Sequence, residues 1–307
     1  MTANMKYILC RPQGGLNDIF CQIEACCVYA DEHRRVVVVD TAYSHSISFW
    51  EQFSNYFLSK QQNLVLNSDG YLDKFGCLSV YPESLKGRLA SYRPKIVNGK
   101  LCDAFHSDHV VTLTFDFAQS YDQEVLVHQQ FGGGSSSQKL PKRISINKKV
   151  LNALVQRLDS LPDHFDAVHV RHTDLHSNYE TILAQLSKKL TRPIFLATDN
   201  AQVLEEFKNA LCSKNIYSFS KLPENRGEAL HQFQKSNCYP QINLDAILDL
   251  LTLSFAETLY VAPTTNNPHG AYSGFSRLAQ FLHSDAGLRA EILRQPLLTE
   301  PLRQSPD

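Results

Sequence analysis

The sequence lacks an excess of charge of either sign. Its 30 Lys and Arg stand against 31 Asp and Glu, a formal net charge of -1. Without a positive field, non-specific nucleic-acid binding is excluded as its business. No apolar run approaches the roughly 20 residues that a bilayer-spanning helix needs. There is no C-x-x-C pair among the 8 cysteines, so the paired ligands of a structural zinc site are missing. G-x-G-x-x-G and the Walker A pattern G-x-x-x-x-G-K-[ST] are both absent, which weakens dehydrogenase and P-loop readings. No D-x-D occurs, so the clustered carboxylates that hold a divalent metal against a diphosphate are missing too. The site is expected to use no metal and no cofactor.

What is present is an ordinary globular composition. Apolar residues make up 43% of 307, enough apolar surface to offset the entropy of ordering and to exclude a disordered chain. Length alone suggests about two domains of roughly 150 residues. Cys26 and Cys27 sit in an apolar helical run, and all the cysteines read as free, buried thiols in a reducing cytosol. Met1 to Arg11 shows no signal-peptide pattern. The expectation is a soluble, cytoplasmic protein. Lone histidines such as His33, His106 and His283 read as surface or core residues.

The opening reads as a βαβ unit. An apolar strand, Met5 to Cys10, ends in the turn-rich Arg11-Pro-Gln-Gly-Gly-Leu-Asn-Asp18. Ile19, Phe20, Ile23, Cys26, Cys27 and Ala30 then recur at helical spacing, with Asn17 or Asp18 as the expected N-cap. Arg35-Val-Val-Val-Val-Asp40 suits a strand covered on both faces, as in a parallel sheet. The Gly14-Gly15 loop allows close backbone approach by a ligand, and Arg11 could add a charge there. Further on, Val110 to Phe115 reads as a strand, and Phe131-Gly-Gly-Gly-Ser-Ser-Ser-Gln138 as a linker near the chain midpoint.

The second half alternates. Strands are expected at Asp166–Arg171, Pro193–Thr198, Asn215–Phe219 and Glu257–Val261. Helices are expected at Tyr179–Leu190, Asn200–Leu211, Asn243–Ser254 and Phe275–His283. This order predicts a second doubly wound parallel sheet. The fold class is α/β, with two Rossmann-like domains facing across a cleft. The expected divisions are 1–145, 146–285 and a tail of 286–307. The tail carries Leu288, Ile292, Leu293, Leu297 and Leu298, either packing across the first domain or serving a partner. Ligands in open α/β sheets bind at the carboxyl ends of the strands.

Polar clusters gather at those ends. Strand alternation puts His169 and Arg171 on one face and Val168 and Val170 on the other. An arginine there offers a fixed fork of donors for phosphate oxygens; the plainer alternative is an Arg171–Asp174 ion pair tethering the loop. Thr198 and Asp199 either line the same rim or cap the next helix. Ser273-Gly-Phe-Ser276 opens the last helix of the domain, where free N–H groups favour an anion. Together these read as a pyrophosphate site.

His169-Val-Arg-His-Thr-Asp174, Phe195-Leu-Ala-Thr-Asp199, Ile247-Leu-Asp249-Leu-Leu-Thr-Leu-Ser254 and Ser273-Gly-Phe-Ser276, in this order, resemble a fucosyltransferase superfamily. It includes the nodulation, N-glycan core and protein O-fucosyltransferases. Gly14-Gly-Leu-Asn-Asp18 is similar to its first-strand glycine loop. The resemblance implies a GT-B fold and an inverting, metal-independent transfer of fucose from GDP-fucose to a hydroxyl of a glycan acceptor. It further implies donor contacts from Gly14, Gly15, Asn17, His169, Asp174, Thr198, Asp199, Asp249, Ser273, Phe275 and Ser276. Asp249 would read the guanine edge, His169 would lie near guanine and ribose, and Arg171 would stabilise the departing β-phosphate. Candidates for the general base are Asp18, His176 and Glu180. Where the superfamily's motif has a second basic residue, this chain has His172. The segment Thr264–Gly270 is longer than the superfamily leads one to expect, and it is a candidate lid. A bacterial enzyme at the inner membrane, taking a lipid-linked glycan, would fit the compartment. The alternatives are another NDP-sugar donor on the same fold, or a nucleotide- or sugar-binding relative without catalysis.

Overall fold

The computed structural model describes residues 5–43, 45, 49–103, 110–189, 191–211, 215–222, 239–268 and 270–294. His106, Cys212, Cys238, Leu297 and Leu298, all read above from sequence, lie outside the described residues.

The chain opens with β1 (Lys6–Cys10), α1 (Leu16–His33) and β2 (Arg35–Val39). β1 and β2 run parallel, from Lys6 opposite Arg35 to Cys10 opposite Val39. Shorter pieces follow: β3 (Phe57–Ser59), β4 (Leu64–Val65), α2 (Tyr71–Phe75), β5 (Val80–Tyr81), and the hairpin of β6 (Pro94–Val97) and β7 (Lys100–Asp103). β8 (Val125–His128) then inserts beside β1. The first sheet is thereby parallel in the order β4-β2-β1-β8-β5. β9 (Ile144–Ile146) returns antiparallel to β3.

Then come α3 (Lys148–Asp159), β10 (Asp166–Val170), α4 (Glu180–Lys189), β11 (Ile194–Thr198), α5 (Ala201–Leu211) and β12 (Ile216–Tyr217). The last elements are α6 (Tyr239–Ser254), β13 (Leu259–Val261), α7 (Gly274–Ser284) and α8 (Ala286–Arg294). The second sheet is parallel as well, in the order β12-β11-β10-β13.

Alternation along the central strands divides the interior. Ile8 and Cys10 of β1 join Ala167 of β10, Ile247 of α6 and Leu278 of α7 in one apolar cluster that runs through both halves. Tyr7 and Leu9 point into a second cluster behind the first sheet. Val168 and Val170 point into a third behind the second sheet. α8 belongs to the shared cluster through Leu288 and Ile292, and its Glu291 pairs with Lys60 of the first half at 2.7 Å. The tail thus packs back across the first half as far as it is described.

Several local expectations need correction. Val110–Phe115 is not a strand; its one pairing is an isolated bridge from Thr112 to Cys102. The strand that enters the sheet is β8, whose residues are all buried. The helix α1 starts earlier than expected, with Gly15 at its N-cap and no side-chain cap bond. Asn17 and Asp18 therefore lie inside its first turn. Phe131–Gln138 is no free linker: Ser137 is buried and donates to Asn17 Oδ1 at 2.7 Å. Among the cysteines, Cys77 is exposed, whereas Cys10, Cys21, Cys26, Cys27 and Cys102 are buried and free. Arg11 adds no charge to the glycine loop. Its side chain is fully buried, paired with Asp40 at 2.7 Å and stacked 3.6 Å above the Tyr43 ring.

Candidate active site

A cleft of about 950 Å³ lies where the carboxyl ends of both sheets meet. It is lined by Gly14, Asn17 and Asp18 from the first half, and by His169, Arg171, Asp199, Phe275 and Arg277 from the second. Each wall follows from local sequence.

On the first wall, the turn after β1 delivers the first turn of α1. Gly14 has φ +106, a conformation that favours glycine, and a Cβ there would meet Asp18 Oδ2 at 2.7 Å. A Cβ on Gly133 would meet Asp18 Oδ1 at 2.6 Å, and one on Gly274 would meet the Asn17 amide at 2.5 Å. The glycine run thus closes around Asn17 and Asp18. Burial pushes the Asp18 carboxyl up from its ordinary range. The Asn17 side chain, the Gly15 N–H, Arg171 and Arg277 oppose that rise.

The second wall begins at the end of β10. His169 is buried, its Nδ1 lies 2.9 Å from Ser276 Oγ, and its ring stacks on Phe275 with centroids 4.9 Å apart. Burial pushes its pKa down to about 4, with Asp199 opposing and Arg171 adding to the fall, so the imidazole is neutral near pH 7. Ser273 caps α7 by accepting the Ser276 N–H at 3.1 Å, and the two hydroxyls lie 2.8 Å apart. The first N–H groups of a helix have no partner within it; those of α7 open onto the cleft beside Phe275.

Arg171 follows β10. It pairs with Asp174 at 2.7 Å and with Asp199 at 2.9 Å, and its side chain is 18% exposed. The tether read from sequence is therefore present, and it holds the guanidinium in the cleft wall. Asp199 also accepts the His172 N–H at 2.7 Å and the Thr173 hydroxyl at 2.6 Å. Neither Thr198 nor Asp199 caps α5; the Asn200 side chain does, accepting the Gln202 and Val203 N–H groups. Thr198 and Asp199 both line the cleft.

Asp249 reaches the cleft from α6. Its Oδ1 accepts from Arg157 at 2.6 Å and its Oδ2 from Ser220 at 2.7 Å. Burial pushes its pKa up to about 6, against the pull of Arg157 and Ser220. Arg157 also holds Asp245, at 2.5 Å.

The base candidates separate. His176 is exposed and outside the cleft lining; its backbone is pinned by Asn266 and Thr265, and its ring packs edge-on against His172. Glu180 opens α4, exposed and also outside the lining. The turn after β10 carries both away from the cleft, and Asp18 alone of the three faces it. His172 turns away from the cleft, its Nδ1 accepting the Ser177 N–H at 3.2 Å and its ring packing edge-on against the buried Tyr179. In the segment Thr264–Gly270, Asn267 and Pro268 reach the cleft lining, while Thr264 bridges to Ser177; His269 is outside the described residues.

Sequence reasoning missed Arg277, Trp50, Asn243 and Gly133 as cleft residues. Trp50 is the chain's single tryptophan, and a composition count could have singled it out. Arg277 sits directly beside the Ser-Gly-Phe-Ser motif and was open to the same scrutiny. Among the described residues no group of three His, Cys, Asp or Glu is placed to hold a metal ion. No described helix is long and apolar enough to cross a membrane.

No family model and no curated protein matches the chain. Solved structures do. The chain is similar to the NodZ alpha-1,6-fucosyltransferase co-crystallized with GDP, at 15% identity and a TM-score of 0.58, over 91% of this chain and 92% of that one. Fucosyltransferase NodZ from Bradyrhizobium aligns at 14% identity and a TM-score of 0.57, over 91% and 93% of the two chains. POFUT1 in complex with GDP aligns at 14% identity and a TM-score of 0.50, over 94% and 98%. At such identities the likeness establishes the fold. The chain has the GT-B architecture of these fucosyltransferases.

Proposed function

We propose that this protein is a glycosyltransferase that moves fucose from GDP-fucose to a hydroxyl of a glycan acceptor, with inversion and without a metal ion. One observation carries the reading. A fixed arginine, Arg171, and the N-terminus of α7 share a cleft with a half-buried carboxylate, Asp18, contributed by the opposite wall. That is the pairing a displacement at an anomeric carbon requires: donors for the departing diphosphate on one side and a base for the incoming hydroxyl on the other. The resemblance of the polar motifs, and the fold shared with proteins crystallised with GDP, support the choice of donor.

In this reading the acceptor oxygen forms a bond to the fucosyl anomeric carbon as the bond to the β-phosphate oxygen breaks. The acceptor proton goes to Asp18, whose raised pKa suits a general base. Negative charge grows on the diphosphate, where Arg171 and the α7 amides stabilise it. Neutral His169, fixed by Ser276 and Phe275, stays available for a donor hydroxyl or base edge. Trp50 and Phe131 line the first-half wall and offer aromatic faces to an acceptor sugar.

Arg171→Ala tests this. Transfer from GDP-fucose is expected to fall by about a thousandfold, the scale on which a transition-state charge is stabilised, with the thermal midpoint within a few degrees. Undiminished turnover by the variant would overturn the assignment.

A further inference from the structure

The positive charge at Arg171 is shared with two carboxylates. It faces both Asp174 and Asp199 within 3 Å, so this cluster of one guanidinium and two carboxylates is formally negative. A diphosphate brought to it needs a second cation. His172, the next residue in the chain, packs onto the buried Tyr179 and is no part of the cleft lining.

Arg277 meets the need from another element. It lies in the first turn of α7, its backbone N–H bonded to the Ser273 carbonyl at 3.0 Å, and it lines the cleft with Arg171 and Asp18. An arginine at a helix N-terminus opposes the helix dipole, which favours anions there. Its Nε is buried and has no hydrogen-bond partner among the described residues. Leaving such a donor unpaired costs stability, and no described side chain repays it. Arg171, Arg277 and Asp18 line the same cleft, and both arginines oppose the rise in the Asp18 pKa. A cation placed against the dipole in the wall of an open cleft favours an anion beside it.

We propose that Arg277 is a binding residue for the diphosphate of the donor, supplying a second positive charge beside the carboxylate-paired Arg171. This rests on the proposed nucleotide-sugar reading for its physiological ligand, whereas the chemistry it recognises is the diphosphate itself.

Calorimetric titration of the wild-type chain, Arg277→Ala and Arg277→Lys with GDP, guanosine and inorganic pyrophosphate tests it. Arg277→Ala is expected to weaken GDP and pyrophosphate by about tenfold to a hundredfold and to leave guanosine unchanged. Arg277→Lys should recover part of the loss, because it keeps the charge without the fork. Wild-type binding of pyrophosphate without GDP would sink the donor reading and leave Arg277 standing if Arg277→Ala loses the pyrophosphate. Equal affinities in wild type and Arg277→Ala would sink the Arg277 inference and leave the donor reading intact. If Arg277→Ala does not fold, equal affinities in Arg277→Lys and wild type, with the same salt dependence, overturn the inference. Absence of pyrophosphate binding by the wild type overturns it too.

Discussion

His169 and Ser276 meet at 2.9 Å, nitrogen to hydroxyl, joining the end of β10 to the first turn of α7. The bond ties the wall that carries Arg171 to the helix whose amides face the same cleft. It also fixes the histidine in a buried, uncharged state, and that has a consequence in pH.

His169 and His128 both have folded-state pKa values pushed down by burial to about 4, against an unfolded value near 6.5. The unfolded chain therefore binds more protons between these limits, and stability falls as pH drops from about 6.5 to 4. Asp249, raised to about 6, works the other way, because its folded state takes up a proton first. The net expectation is a loss of about one proton's worth, roughly 1.4 kcal/mol per pH unit, across that window. Denaturant unfolding at stepped pH measures it. In His169→Ala the slope should nearly vanish, and an unchanged slope would contradict the assignment.

Asp18→Asn keeps the shape of the first turn and removes the base. Transfer should fall by about 10²- to 10⁴-fold, while GDP binds as tightly as before or tighter. Kinetics and calorimetry on the same preparation separate the two effects. A large loss of GDP affinity with turnover retained would place Asp18 in donor binding instead.

Gly133→Ala tests whether the glycine run positions Asp18. The added methyl would lie 2.6 Å from Asp18 Oδ1, so the carboxylate must move, and displacements on this scale cost about a hundredfold in rate. The expected signature is a lower kcat with little change in GDP affinity. Wild-type kinetics in this variant would show that the contact does no positioning.

Arg157→Met removes the cation held by Asp245 and Asp249. Two carboxylates are left in a buried site, at a cost of about 3–5 kcal/mol. Urea unfolding should register that loss. Arg157→Met combined with Asp245→Asn and Asp249→Asn should recover much of it.

Much of the second half was legible from its sequence. β10, β11 and the helices between them announce themselves by apolar runs and helical spacing, and β2 by consecutive valines. The first half was not, because its sheet is completed by strands as short as Leu64–Val65 and Val80–Tyr81, too brief for periodicity to register. β8 presents only Val-Leu-Val before a histidine and passes for loop, while Val110–Phe115 alternates better and pairs less. In the site, strand-end logic found His169, Arg171 and Ser273. It does not place His176 and Glu180, which lie outside the cleft lining, since the path of a turn after a strand has no period to read. Arg277 adjoins the Ser273–Ser276 motif, yet only the structure shows that it lines the cleft. The glycines of 132–134 resembled a linker because composition alone does not distinguish freedom from close packing.

Titration of the purified chain with GDP, UDP and CMP by calorimetry tests the central claim most directly. The account predicts saturable binding of GDP, at least about tenfold tighter than UDP or CMP. Failure of GDP to bind, or equal binding of all three nucleotides, would contradict it.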